Sequence, residues 1–182
     1  SVKPYQPPGL WELATSGRGL LATYRQDHGD KLYRRGLYTF IKRTVPPPSM
    51  MIFDASNRDQ CEVKRSRTNT PLQALIMMND PTILEASVAL ADRLAQKQDK
   101  PEAAVRDAFL RIINRHPDKQ EQDILLEYLH EQQVYFKANP ATIEKVIKVG
   151  EYKIKSAPAP EVAALARLVQ VIYNMDEAMT KT

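Results

Sequence analysis

With 182 residues, 43% of them hydrophobic and 26% charged, the chain has enough apolar material for a domain with a real core. That mixture excludes wholesale disorder, and the apolar runs fall far short of the roughly 20 residues that span a bilayer. Cys61 is the single cysteine, which excludes an intrachain disulfide, a Cys-x-x-Cys redox pair and a thiolate zinc site. The opening Ser1-Val2-Lys3-Pro4-Tyr5-Gln6 lacks the basic and apolar regions of a signal peptide. The net charge of +4 is concentrated: residues 31–67 hold nine Lys or Arg against three Asp or Glu, a balance of +6, and the rest of the chain carries −2. Such a cluster can hold an anionic partner. It can equally pin a loop-rich segment to carboxylates and carbonyls, and the weak periodicity of these residues favours pinning.

In chain order, Pro4, Pro7 and Pro8 predict an extended arm. Gly9-Leu10-Trp11-Glu12-Leu13 predicts a short helix anchored by Trp11. Ser16-Gly17-Arg18-Gly19 reads as a turn, since no Lys-Ser/Thr follows it as in a phosphate loop. In Asp27-His28-Gly29-Asp30 a histidine lies between carboxylates, the residue types of a metal or general-base site. With no second histidine nearby, a structural role for His28 is favoured. Leu32, Tyr33, Leu37, Phe40 and Ile41 predict a helix over 31–42, stopped by Val45-Pro46-Pro47-Pro48. Residues 49–68 read as a long irregular piece with Met50, Met51, Ile52 and Phe53 buried. Asp54-Ala55-Ser56-Asn57-Arg58-Asp59 is turn chemistry.

Thr70-Pro71-Leu72-Gln73 is the strongest local signal: an N-cap, a proline at the first helical position and a capping box. Leu72, Leu75, Ile76 and Met78 follow as apolar positions. Asp80-Pro81 opens a second helix whose core face is Ile83, Leu84, Ser87, Val88, Ala91, Leu94 and Ala95. Pro101 opens another, burying Val105, Ala108, Phe109, Ile112 and Ile113. His116-Pro117-Asp118 separates it from a helix bearing Ile124, Leu125, Tyr128, Leu129 and Phe136. Asn139-Pro140 starts a shorter helix that carries Ile143, Val146 and Ile147 and ends near Gly150. Residues 155–160 read as a linker, and a last helix holds Leu165, Leu168, Val169, Ile172 and Tyr173. The expected fold is mainly α: an irregular Pro/Arg-rich N-terminal third packed on an orthogonal bundle of five or six helices. It forms a single helical domain, with 1–69 as arm and wrapping segment, 70–150 as core, 151–160 as linker and 161–182 as C-terminal helix.

Longer motifs are familiar. Tyr33-Arg34-Arg35-Gly36-Leu37-Tyr38-Thr39-Phe40 is followed by Lys42-Arg43-Thr44-Val45-Pro46-Pro47-Pro48-Ser49-Met50. Then come Phe53-Asp54-Ala55, Arg65-Ser66-Arg67-Thr68-Asn69-Thr70-Pro71-Leu72-Gln73-Ala74-Leu75 and Asn79-Asp80-Pro81. Together with Tyr5-Gln6-Pro7-Pro8-Gly9-Leu10-Trp11, Gln26-Asp27-His28-Gly29 and Asn174-Met175-Asp176-Glu177, they resemble the planctomycete-specific, PSD-type domain of unknown function. That family usually closes large secreted or periplasmic proteins that also carry planctomycete cytochrome c domains. The resemblance implies a C-terminal part of an exported multidomain protein, periplasmic or secreted, and implies no reaction. The haem motif Cys-x-x-Cys-His is absent, so no cofactor is expected in this segment.

Two functional readings follow. In the first the chain is a non-catalytic helical interaction module, and the upstream domains of the same parent chain are its partner. Arg34, Arg35, Arg43, Arg65 and Arg67 are then the candidate anion- or partner-binding residues. In the second it shares an enzyme site with those domains and acts on an anionic carbohydrate or a similar substrate. His28, Asp27, Asp54 and Asp59 are the candidate acids, bases or ligands, with no metal assigned. Tyr33, Tyr38 and Phe40 among basic residues superficially suit single-stranded nucleic acid, but no nucleic-acid motif is present, and neither nucleic acid nor a membrane span is expected.

Overall fold

The computed structural model describes residues 1–14, 24–42, 46–56, 61, 63–64, 66–98, 100–156 and 159–180. The chain divides into two compact units, Ser1–Thr68 and Asn69–Thr182. It is mainly α: the described residues form nine α-helices, two short 3-10 turns and no named strand.

The first unit is organised around Trp11, which is 1% exposed. It lies on α1 (Leu10–Ala14), as the sequence suggests. Tyr24 meets its ring edge-on at 4.6 Å, and Phe40 lies 5.8 Å away. The N-terminal arm is threaded beside this aromatic cluster by backbone hydrogen bonds. Val2 N donates to Tyr38 O and Phe40 N to Val2 O, both at 2.8 Å, in an isolated parallel bridge. The Tyr24 hydroxyl donates to Pro4 O at 2.5 Å.

That pairing explains why the helix expected over 31–42 does not form. The segment makes 3-10 turns at Gly29–Lys31 and Gly36–Tyr38 and is then extended to meet Val2. Gly36 is a poor helix former in the middle of the stretch, and the arm offers Tyr38 and Phe40 a non-local partner. Tyr33, Leu37 and Tyr38 are consequently exposed. The proline tract also acts differently from expectation: Pro48 opens a helix, α2 (Pro48–Ile52), because proline suits the first helical position. Met51 on α2 is exposed, and Met50, Ile52 and Phe53 are half-buried. The Ser16–Gly19 motif lies outside the described residues.

The second unit holds seven of the described helices. Thr70 caps α3 (Pro71–Asn79) through the predicted box: Gln73 N donates to Thr70 Oγ1 at 3.3 Å and Thr70 N to Gln73 Oε1 at 2.9 Å. Asp80 accepts from Thr82 N at 2.8 Å and opens α4 (Pro81–Lys97). The two helices meet at a 58° corner. The apolar Leu72, Leu75 and Met78 are exposed on α3, whereas Gln73 is buried.

Then follow α5 (Pro101–Ile113), α6 (Lys119–Ala138), α7 (Pro140–Ile147), α8 (Pro160–Tyr173) and α9 (Asp176–Met179). The core takes Val88, Ala91 and Leu94 from α4, Val105, Ala108, Phe109 and Ile112 from α5, and Leu125, Leu129 and Phe136 from α6. Its centre is α8. Val162 to Ala166, Leu168, Val169, Gln170 and Ile172 are all buried, so this helix is apolar nearly all round, as a central helix must be. Its alanines allow close approach, and it packs most extensively on α4 and α6. No single helix among the described residues is long and apolar enough to cross a membrane.

Candidate functional site

The residues singled out from the sequence lie in the first unit, each with its own neighbours. Asp27 Oδ2 accepts from Lys3 N at 2.8 Å, and its Oδ1 stands 3.8 Å from Lys31 Nζ. The carboxylate therefore secures the arm. His28 is exposed and directly precedes the turn Gly29–Lys31. Asp54 has a left-handed backbone, φ 56°, and accepts from both Thr68 N and Thr68 Oγ1 at 2.8 Å. The Arg34 guanidinium lies 6.0 Å from the Tyr38 ring centroid. Arg35 and Arg67 are exposed. Arg43, Asp59 and Arg65 lie outside the described residues. Cys61 is exposed. Among the described residues, no group of three His, Cys, Asp or Glu is placed to hold a metal ion.

Two carboxylates that sequence reasoning missed are buried on one side of α4, seven residues apart. Asp92 is 0% exposed and accepts from Lys155 N at 3.0 Å, Ser156 N at 2.9 Å and the Tyr152 hydroxyl at 2.8 Å. The Ser156 hydroxyl donates to it as well. Burial by itself would raise the pKa of Asp92, but hydrogen bonds from Ser156, Lys155 and Tyr152 outweigh it and hold the carboxyl below its ordinary range. Glu85 accepts from Glu151 N at 2.7 Å and Tyr152 N at 2.5 Å. The stretch read as a linker is thus fastened to α4 through its own backbone N–H groups.

A third group ties down the end of the second unit. Arg115 donates to Glu121 at 2.6 and 2.7 Å and to Glu177 at 2.8 and 2.9 Å. Its guanidinium also lies over Phe109 at 4.9 Å. Glu121 completes the capping box of α6 with Asp118. Nearby in the same unit, Asn69 Nδ2 donates to Asp176 at 2.6 Å.

The second unit also contains an open cleft of about 560 Å³. Its walls carry four amides (Asn79, Gln132, Gln170 and Asn174), together with Tyr128, Arg167 and the apolar Met78, Val171 and Met175. The sequence motifs around Asn79 and Asn174 meet here, 95 positions apart in sequence. Arg167 Nη1 donates to Gln170 Oε1 at 2.8 Å, and Gln170 Nε2 donates to Met78 O at 2.5 Å. The chain of bonds orients both the amide and the guanidinium. Burial pushes the Tyr128 hydroxyl up, with the nearby Arg167 charge acting in the opposite direction. Arg167, Gln170 and Asn174 were legible as polar positions at i, i+3 and i+7 around an otherwise apolar helix, a signal passed over in favour of its core face.

Among known proteins, the family model PSD1, described as Protein of unknown function (DUF1553), matches residues 1–129. Searches of curated proteins and of solved structures found no match. The match covers well over half of the chain and includes the 33–81 motifs, so the chain belongs to the PSD1 family.

Proposed function

We propose that this chain is a non-catalytic helical interaction module of a larger exported multidomain protein, periplasmic or secreted, and that it docks on the upstream domains of its parent. The composition of the cleft carries the reading. Its described walls offer amides, one guanidinium and apolar side chains, a set suited to holding a partner, and include no carboxylate, histidine or thiol. The carboxylates buried elsewhere in that unit hold backbone N–H groups. Analytical ultracentrifugation of the chain mixed with the upstream domains tests it. A joint species at micromolar concentration is expected; separate sedimentation of the two overturns it.

A second reading rests on the exposure of Arg34, Arg35 and Arg67: a share in an enzyme site acting on an anionic carbohydrate. Turnover of uronate or sulfated polysaccharides by the joined domains, lost on replacing these arginines, would favour it over the module.

A further inference from the structure

Arg167 is the only charged residue among the described residues that wall the cleft. Of its five N–H donors, one is engaged, by Gln170 Oε1. No carboxylate among the described residues pairs with it. A half-buried guanidinium without a counter-ion has already lost part of its hydration, so an incoming anion meets it at reduced cost. Because Gln170 is itself buried and anchored on the Met78 carbonyl, the fork is held in one orientation. A planar, bidentate acceptor such as a carboxylate fits it.

The cleft is far larger than a carboxylate, so the anion must belong to a bigger body. Gln132 and Asn79, one N–H of which already donates to Leu75 O at 2.8 Å, add amide groups of the kind that bond a peptide main chain. Asn174 Oδ1 is buried in the wall without a hydrogen-bond partner among the described residues. At one edge Met78 continues into an apolar stripe on α3, where Leu72, Leu75 and Met78 are 51%, 56% and 49% exposed. Their i, i+3, i+6 spacing runs about 9 Å along the helix, the length of roughly three residues of extended chain.

We propose that the cleft receives an extended peptide segment. An Asp or Glu side chain of that segment pairs with Arg167, and an apolar side chain two or three residues away lies on Leu72, Leu75 and Met78. The assignment rests on the interaction reading above, which also decides the source of the carboxylate. Domains joined upstream in the same chain would offer acidic side chains rather than a free terminal carboxylate.

The test uses the full chain and N-acetylated, C-amidated decapeptides tiling the upstream domains, each acidic peptide made with an Asn or Gln twin, with binding read by fluorescence anisotropy. Bound peptides are expected to carry an acid two or three residues from an apolar residue, and their neutral twins to bind at least tenfold more weakly. Arg167→Gln should lose the same peptides, and Leu75→Ser, at an exposed position, should weaken them several-fold without moving the unfolding midpoint. Failure of every tiled peptide to bind, equal binding of the neutral twins, or indifference to Arg167→Gln overturns the proposal. Binding confined to uncapped peptides with a free terminus overturns the side-chain source. If these fail while the chain still sediments with the upstream domains, the peptide assignment falls and the module reading stands.

Discussion

The Glu85 carboxylate fills the space that a side chain on Gly150 would need. Gly150 has φ +75°, and an added Cβ would overlap the Glu85 carboxyl group. The glycine thus serves two ends: it turns the chain after α7, and it lets Glu151 N and Tyr152 N reach that carboxylate.

Gly150→Ala is therefore expected to destabilise the protein by about 2–4 kcal/mol. About 1 kcal/mol comes from the left-handed backbone, and the remainder from disturbing a buried carboxylate with two N–H donors. Urea unfolding measures it. A loss of only about 1 kcal/mol would show that Glu85 moves aside freely.

Asp92→Asn keeps the shape of the side chain but turns an acceptor-only group into one with an amide donor facing the N–H groups of Lys155 and Ser156. The expected loss is about 2–4 kcal/mol. The wild-type carboxyl has a depressed pKa, so its contribution is fully present above the ordinary aspartate value. It is lost progressively as pH falls toward the folded value. Acid unfolding of the wild type should be steep below that ordinary value, and that of Asp92→Asn shallower.

The Arg115 pairs predict a pH effect centred on Glu121. Hydrogen bonding to Arg115, against some burial, lowers its carboxyl from 4.5 to about 2. Stability from this group is present above 4.5 and is lost as pH falls from there toward 2. Arg115→Ala is expected to reduce that dependence to what the Asp118 N–H bond sustains, and to speed amide exchange in α9, which Glu177 ties to Arg115. The same exchange rate in α9 before and after substitution would show that the pairs do not hold the helix. Being partly exposed, they should also weaken in high salt.

The family match ends at residue 129, inside α6, whereas the core of the second unit is closed by α8. A chain cut after Leu129 would expose the faces of α4 and α6 that α8 covers. It is expected to lose cooperative unfolding and to bind a hydrophobic dye. A sharp two-state transition from that truncated chain would show that α8 is dispensable.

The helix starts were legible because their causes are local. Thr70-Pro71, Asp80-Pro81, Lys100-Pro101 and Asn139-Pro140 each place a proline at the first helical position. What failed depended on distant partners. Residues 31–42 have helical spacing, but Tyr38 and Phe40 bond to Val2, and the backbone N–H groups of Leu32, Tyr33, Tyr38 and Thr39 donate to turn carbonyls three residues back. Gln73, Glu85 and Asp92 look like surface residues until their surroundings in the fold appear. The cleft was half-visible: Asn79 and Asn174 stood in recognisable motifs, while Arg167 and Gln170 were hidden by the apolar rhythm of α8.

The place of α8 in the chain also sets the order in which the molecule can be completed. The helix that every earlier part of the core leans on leaves the ribosome after α4, α5 and α6 have already emerged. Until then their apolar faces have no final partner, and contacts spanning some eighty residues must wait for it. The growing polypeptide therefore passes through an adhesive interval, which a holding chaperone would be expected to shelter and which the arrival of α8 ends.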